Sequence, residues 1–134
     1  PIDDKSQVES FFQELENERI HSIVNATGSD IRMKWISELS YEEWNDVMRT
    51  DADGFFNIIK NSLPILRKFG GSYTTLSSIG LSRWPAKDVL SVAPKAAIDA
   101  CASRSILARI APGGARTAGG RRLAGSWLSA ACFS

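Results

Sequence analysis

Histidine, cysteine and tyrosine are scarce in this chain of 134 residues, with one His, two Cys and two Tyr. The lone histidine, His21, has no second imidazole with which to share a metal and no evident triad partner, so it is read as a structural residue. Cys101 and Cys132 are too few for a disulfide scaffold, and free thiols in a reducing cytoplasm are expected. No apolar run approaches the ~18 residues that a membrane-spanning helix needs. The opening PIDDKSQVES is acidic and polar, unlike a secretory signal, and the absence of an initiating Met points to a processed or trimmed start. Acid is missing altogether after Asp99. Residues 1–99 hold fifteen acids and eleven Lys or Arg, a net −4, whereas residues 100–134 hold five Arg, no Lys and no acid, a net +5. Such a tail raises the question of a nucleic acid or a membrane surface as partner. Only Trp127 and Phe133 supply aromatics there, and neither partner is expected.

What is present reads as one α/β domain at most. Apolar residues make up 43% of the chain, an ordinary share for a packed core. Ser6-Gln-Val-Glu9 fits a capping box, and Val8, Phe11, Phe12 and Leu15 mark one face of a first helix. Arg19–Asn25 is a short β-type run compatible with a buried parallel strand. Residues 28–39 read as a loop. Ser40-Tyr-Glu-Glu43 is a second capping box, opening a helical pattern through Trp44, Val47, Met48, Phe55, Phe56, Ile59, Leu63 and Leu66. Gly54 and Pro64 interrupt that pattern, so a bend is expected. Gly70-Gly71 closes the helix and launches a strand over Ser72–Ser77. A loop over 79–89 precedes a last helix starting near Ser91. The order α-β-α-β-α is that of a parallel sheet with crossover helices. Residues 1–111 form the expected domain. Residues 112–134, rich in Gly, Ala and Arg and poor in β-branched residues, are expected as a flexible tail.

Three segments carry chemistry. Ser78 closes the second strand; Ser91 follows thirteen residues later and Lys95 four after that. This spacing resembles the short-chain dehydrogenase/reductase family, whose pattern is Ser, about a dozen residues, then Tyr-x-x-x-Lys. Asn25-Ala26-Thr27-Gly28 resembles the family's Asn-Asn-Ala-Gly segment, and Asp51-Ala52-Asp53-Gly54-Phe55-Phe56 its Asn-x-x-Gly-x-Phe. The resemblance covers roughly residues 1–112. It implies a partial Rossmann-like, doubly wound parallel sheet with flanking helices, NAD or NADP as cofactor, and a small carbonyl or alcohol as substrate. It implies that Ser78 polarises the substrate carbonyl and that Lys95 binds the nicotinamide ribose. Asn25, Ala26 and Gly28 would shape the cofactor pocket. Asp51 would stand where the family has a catalytic Asn; a solvated helix acid is the alternative.

The departures matter as much. Ser91 occupies the place of the proton-donating Tyr, and an aliphatic hydroxyl is a far weaker acid than a phenol on a side chain several Å shorter. Loss of a general acid costs about 10²–10⁴ in rate. Ser91 also fits a helix N-cap, with Pro94 in the first turn behind it. No G-x-x-x-G-x-G phosphate turn precedes Gly28. Two functions are therefore expected to compete: an oxidoreductase of impaired activity, and a non-catalytic, self-associating module. For the second, Trp44, Phe55, Phe56, Ile59 and Leu63 offer an oligomer interface, or else a core against the sheet. The open edge of Arg19–Asn25 invites pairing with another chain.

Overall fold

The structure, a computed structural model, describes residues 1–83, 85–102 and the backbone of residues 128–133. Helix α1 (Lys5–Glu14) leads to strand β1 (Ser22–Asn25). Helix α2 (Tyr41–Val47), a π-helical segment (Met48–Asp53) and helix α3 (Gly54–Phe69) follow without a break. Strand β2 (Gly71–Leu76), the short helix α4 (Gly80–Arg83) and helix α5 (Val89–Ala100) complete the α/β part. β1 and β2 pair in parallel, Ser22 opposite Ser72 through Asn25 opposite Thr75. A further strand, β3 (Leu128–Phe133), lies antiparallel on the other edge of β2, giving the order β1-β2-β3.

The parallel pair and its flanking helices are the expected α/β arrangement. Local chemistry explains most boundaries. Ser40 accepts from Glu43 N while the Glu43 carboxylate accepts from Ser40 N, the reciprocal cap read in the sequence. Gly70, at φ 72°, ends α3 in a backbone conformation that L side chains resist. The first cap is corrected by two residues. Asp4, not Ser6, caps α1, its carboxylate accepting from Gln7 N and from the Gln7 side-chain amide. β1 is also shorter than the Arg19–Asn25 run. Pro64 lies inside α3, which nonetheless continues to Phe69.

Within the span read as a tail, Leu128–Phe133 pairs as a strand. LSAACF carries no β-branched residue, yet strand formation follows pairing context more than propensity, and β2 presents a free edge. Residues 112–127 lie outside the described residues.

In β1 and β2, side chains alternate across the sheet, so Ile23, Asn25, Tyr73 and Thr75 share one face. Phe55, Ile59 and Leu66 of α3 pack there with Tyr73, Ile98 and Ala102. Phe55 meets Tyr73 edge-on, ring centroids 5.9 Å apart. Val8 and Phe12 of α1 pack with Ile65 beside this cluster. Burying each such large apolar side chain contributes about 1.5–3 kcal/mol. Phe55 and Ile59 are thus core residues, whereas Phe56 is exposed. On the opposite face the Ser22 and Ser72 hydroxyls bond at 3.0 Å, and Val24 is 65% exposed.

Candidate active site

The parallel strands end on the same side, and the candidate residues gather there. Beyond β2 the chain turns sharply: Leu81 N donates to Ser78 O, and Gly80 N donates to Ser78 Oγ at 3.1 Å. That second bond occupies one lone pair of Ser78 and leaves its O–H free to donate. Gly80 is required by crowding. A Cβ there would lie 2.4 Å from Val92 Cγ2, so the absence of a side chain lets α5 approach. The approach brings Ser91 Oγ to 3.4 Å from Ser78 Oγ.

A second cluster forms around a buried ion pair. The π-helical segment carries Asp51, only 5% exposed. Lys95, from α5, places Nζ 3.2 Å from Asp51 Oδ2 and donates to Thr27 O at 3.0 Å. An ammonium has three N–H donors, so these two contacts leave one for a ligand. Asp51 Oδ1 accepts from Ser29 N at 2.9 Å and from Ser29 Oγ at 2.8 Å. Removing either charge from so enclosed a pair strands the other, at a cost of about 3–5 kcal/mol. Gly28 lies beside the pair: a Cβ there would sit 3.9 Å from both Lys95 Nζ and Asp51 Oδ2. A side chain there would pack directly against the two charges.

At the end of β1, buried Asn25 turns its Oδ1 to Thr27, accepting from Thr27 Oγ1 at 2.7 Å and from Thr27 N at 3.3 Å. This local turn shapes the loop whose carbonyl holds Lys95. Farther along, Lys34 N donates to Lys87 O, tying the loop after Gly28 to the approach to α5.

Of the residues singled out in the sequence, Ser78 and Ser91 are brought together, as are Asp51, Lys95 and Gly28. Asn25 supports them from beneath, and Ala26 is exposed. Two readings are corrected. Ser91 is not the cap of α5: Asp88 holds that position and Ser91 sits in the first turn, facing Ser78. Pro94 is then one turn deeper than its missing N–H prefers, because Val89 and Leu90 already adopt helix. Asp51 is not a solvated helix acid, since three segments close around it. His21 has an exposed side chain, and its carbonyl accepts from Ser72 N. Ser29 went unnoticed in the sequence; a serine one residue past a loop glycine carries no signal of its own. Among the described residues no group of His, Cys, Asp and Glu could hold a metal ion, and no helix is long and apolar enough to cross a membrane.

Comparison with known proteins places this geometry. Residues 2–117 match the family described as enoyl-(acyl carrier protein) reductase. The chain is 32% identical over 80 residues to 2,3-dihydro-2,3-dihydroxybenzoate dehydrogenase of Escherichia coli (strain K12), a stretch covering 58% of this chain and 32% of that protein. In fold it is similar to an alcohol dehydrogenase of the archaeon Thermococcus sibiricus complexed with 5-hydroxy-NADP, with a TM-score of 0.73 at 23% identity over 81% of this chain and 46% of that one. Levodione reductase is similar to the same degree, with a TM-score of 0.73 at 20% identity over 81% of this chain and 43% of its own. The chain thus spans less than half the length of these relatives, whose fold is Rossmann-like. The matched family and the meeting of Ser78, Lys95 and Asp51 at the strand ends lead to one conclusion: the chain belongs to the short-chain dehydrogenase/reductase family of oxidoreductases.

Proposed function

We propose that the chain forms the nicotinamide-side part of an NAD- or NADP-dependent oxidoreductase, acting on a small carbonyl or alcohol with weakened proton delivery. The observation that carries this reading is the pair of clusters on one edge: the Ser78 hydroxyl beside Ser91, and Lys95 with one donor left beside the gap at Gly28. The residues present fit the ribose end of a dinucleotide, because Lys95 keeps one N–H donor beyond those given to Asp51 and Thr27, next to the bare backbone of Gly28. When bound, a nicotinamide cofactor supplies or accepts hydride. Lys95 holds the ribose, Asn25 and Thr27 shape the loop that positions Lys95, and Gly28 leaves room. Ser78, fixed by Gly80 N, donates its O–H to the substrate oxygen. Ser91 is placed to exchange a proton with Ser78 but lacks the acidity of a phenol, so turnover is slow. A cytoplasmic setting belongs to this reading and accords with the free thiol at Cys101.

Titration of the chain with NADH and NADPH, followed by nicotinamide fluorescence, tests it. Enhancement at or below millimolar cofactor is expected; none at millimolar concentration overturns the reading. Ser91→Tyr restores a phenol and is expected to raise turnover of a small carbonyl by about 10²–10⁴.

One observation favours a second reading, a self-associating module. β1 has no neighbour on its outer edge among the described residues, and an apolar groove of about 560 Å³ opens beside it, lined by residues including Ile2, Val8, Phe11, Phe12, Ile23 and Ile58.

A further inference from the structure

We propose that Ser29 is the positioning residue for Lys95, acting through Asp51. The inference deepens the oxidoreductase reading, on which Lys95 meets the ribose.

The two oxygens of Asp51 have separate partners. Oδ1 receives both the N–H and the O–H of Ser29, at 2.9 and 2.8 Å, and Oδ2 faces Lys95 Nζ at 3.2 Å. A carboxylate held at one oxygen by two donors from one residue cannot swing about its terminal torsion without breaking both. Its second oxygen is thereby aimed at Lys95. The same loop acts on the other end of the pair, since Thr27 O accepts from Lys95 Nζ at 3.0 Å. Thr27 and Ser29 therefore bracket the ion pair from the two sides of Gly28, whose backbone lies against both charges. Without the Ser29 hydroxyl, Asp51 keeps one backbone bond, gains torsional freedom, and shares Lys95 with solvent. Lys95 is thus held by a three-residue loop, and its remaining donor has a fixed direction. Ser29 touches no reacting atom in this scheme.

Acylation of lysines by a pulse of acetic anhydride, read peptide by peptide by mass spectrometry, tests the bracket without requiring activity. Exposed Lys60 is the internal reference. In the unaltered chain Lys95 is expected to react far more slowly than Lys60. Ser29→Val, similar in shape to threonine but without the hydroxyl, is expected to raise the Lys95-to-Lys60 ratio about tenfold, while Ser29→Thr keeps it within about twofold of the unaltered chain. Those shifts follow from losing or keeping one hydrogen bond to a charged group. Equal ratios in the Thr and Val variants overturn the proposal. Should Ser29→Val fail to fold, seen as uniform acylation of all lysines, Ser29→Ala takes its place against Ser29→Thr with the same criterion. Dinucleotide titration of the same variants separates the two ideas. Absence of binding in the unaltered chain defeats the oxidoreductase reading and leaves the ratio to judge Ser29; an unchanged ratio with binding intact defeats Ser29 alone.

Discussion

Tyr73 buries a phenol in the core, 1% exposed, with no hydrogen-bond partner for its hydroxyl among the described residues. Burial pushes its pKa above the usual value near 10; the nearby Asn25 side chain opposes this without reaching bonding geometry. The folded state therefore keeps a proton that the unfolded chain gives up near pH 10. The support this gives is complete below that pH and is lost as pH rises beyond it. Tyr73→Phe removes an unsatisfied buried hydroxyl and is expected to stabilise the fold by about 1 kcal/mol at pH 8. Urea unfolding at pH 8 and pH 10.5 checks both statements: the margin over the unaltered chain should widen at the higher pH. A less stable Phe variant would mean that the hydroxyl has a partner after all. At this scale the sequence was readable wherever chemistry depends on spacing along the chain, as in Ser78, Ser91 and Lys95. The Asp51–Lys95 pair joins residues 44 apart, and its anchor at Ser29 lies 22 from Asp51. Nothing local in either stretch encodes those meetings.

The elements show the same division. Ser40 and Glu43 are three residues apart, and their mutual cap was legible because it needs no tertiary contact. Glu43 has a second partner, Lys34, across the preceding loop. The Lys34 hydrogen bond, with that from Ser40 N, holds the Glu43 carboxyl below its usual value. A depressed carboxylate contributes above its unfolded pKa and ceases to do so as pH falls through the folded one. Ser40→Ala is expected to cost about 1 kcal/mol at neutral pH. The Glu43 share is separate: the cost of Glu43→Gln should shrink as falling pH protonates the carboxylate of the unaltered chain; thermal melts of the two chains from pH 7 downward measure it, and a difference independent of pH would argue against the charge-assisted bonds from Lys34 and Ser40 N. The start of α5 was misread for the opposite reason. Ser91 followed by Pro94 has the composition of a helix entrance, but the close approach of Val92 to Gly80 draws the helix back to Val89. Tertiary packing outweighed the local cap. Strand β3 also formed against its composition, on an edge that only the folded sheet presents.

On the scale of the whole molecule, α1, α3 and α5 cover one face of the sheet and leave β1 at its edge. Exposed Phe11 lines the groove beside α1 and β1, and Val24 is exposed on the other face of the same edge strand. Such an edge favours strand addition from another chain. Sedimentation velocity from low to high micromolar concentration is expected to show reversible association. Replacing Val24 with Lys, a charge at the edge strand, is expected to shift the midpoint at least tenfold higher. A single monomer boundary throughout would defeat the self-associating reading. The fold class was legible because the alternation of helical and strand-like runs is a chain-wide pattern; the exposed side was not, because it depends on which faces find a neighbour.

The π-helical segment between α2 and α3 has a consequence for how this sequence can vary. Val47, Asp51, Phe55 and Ile59 are spaced by four and are all buried. In an unbroken α-helix each residue advances about 100°, so a row spaced by four drifts around the axis by about 40° at every step. The wider turn over Met48–Asp53 absorbs that drift and keeps the carboxylate and the core phenylalanine on one side. The segment behaves as a phase corrector. Its length is held more tightly than its lettering: Arg49 or Asp53 can change with little effect, but loss of one residue would turn the Phe55–Ile59 row of α3 away from the side that Val47 faces.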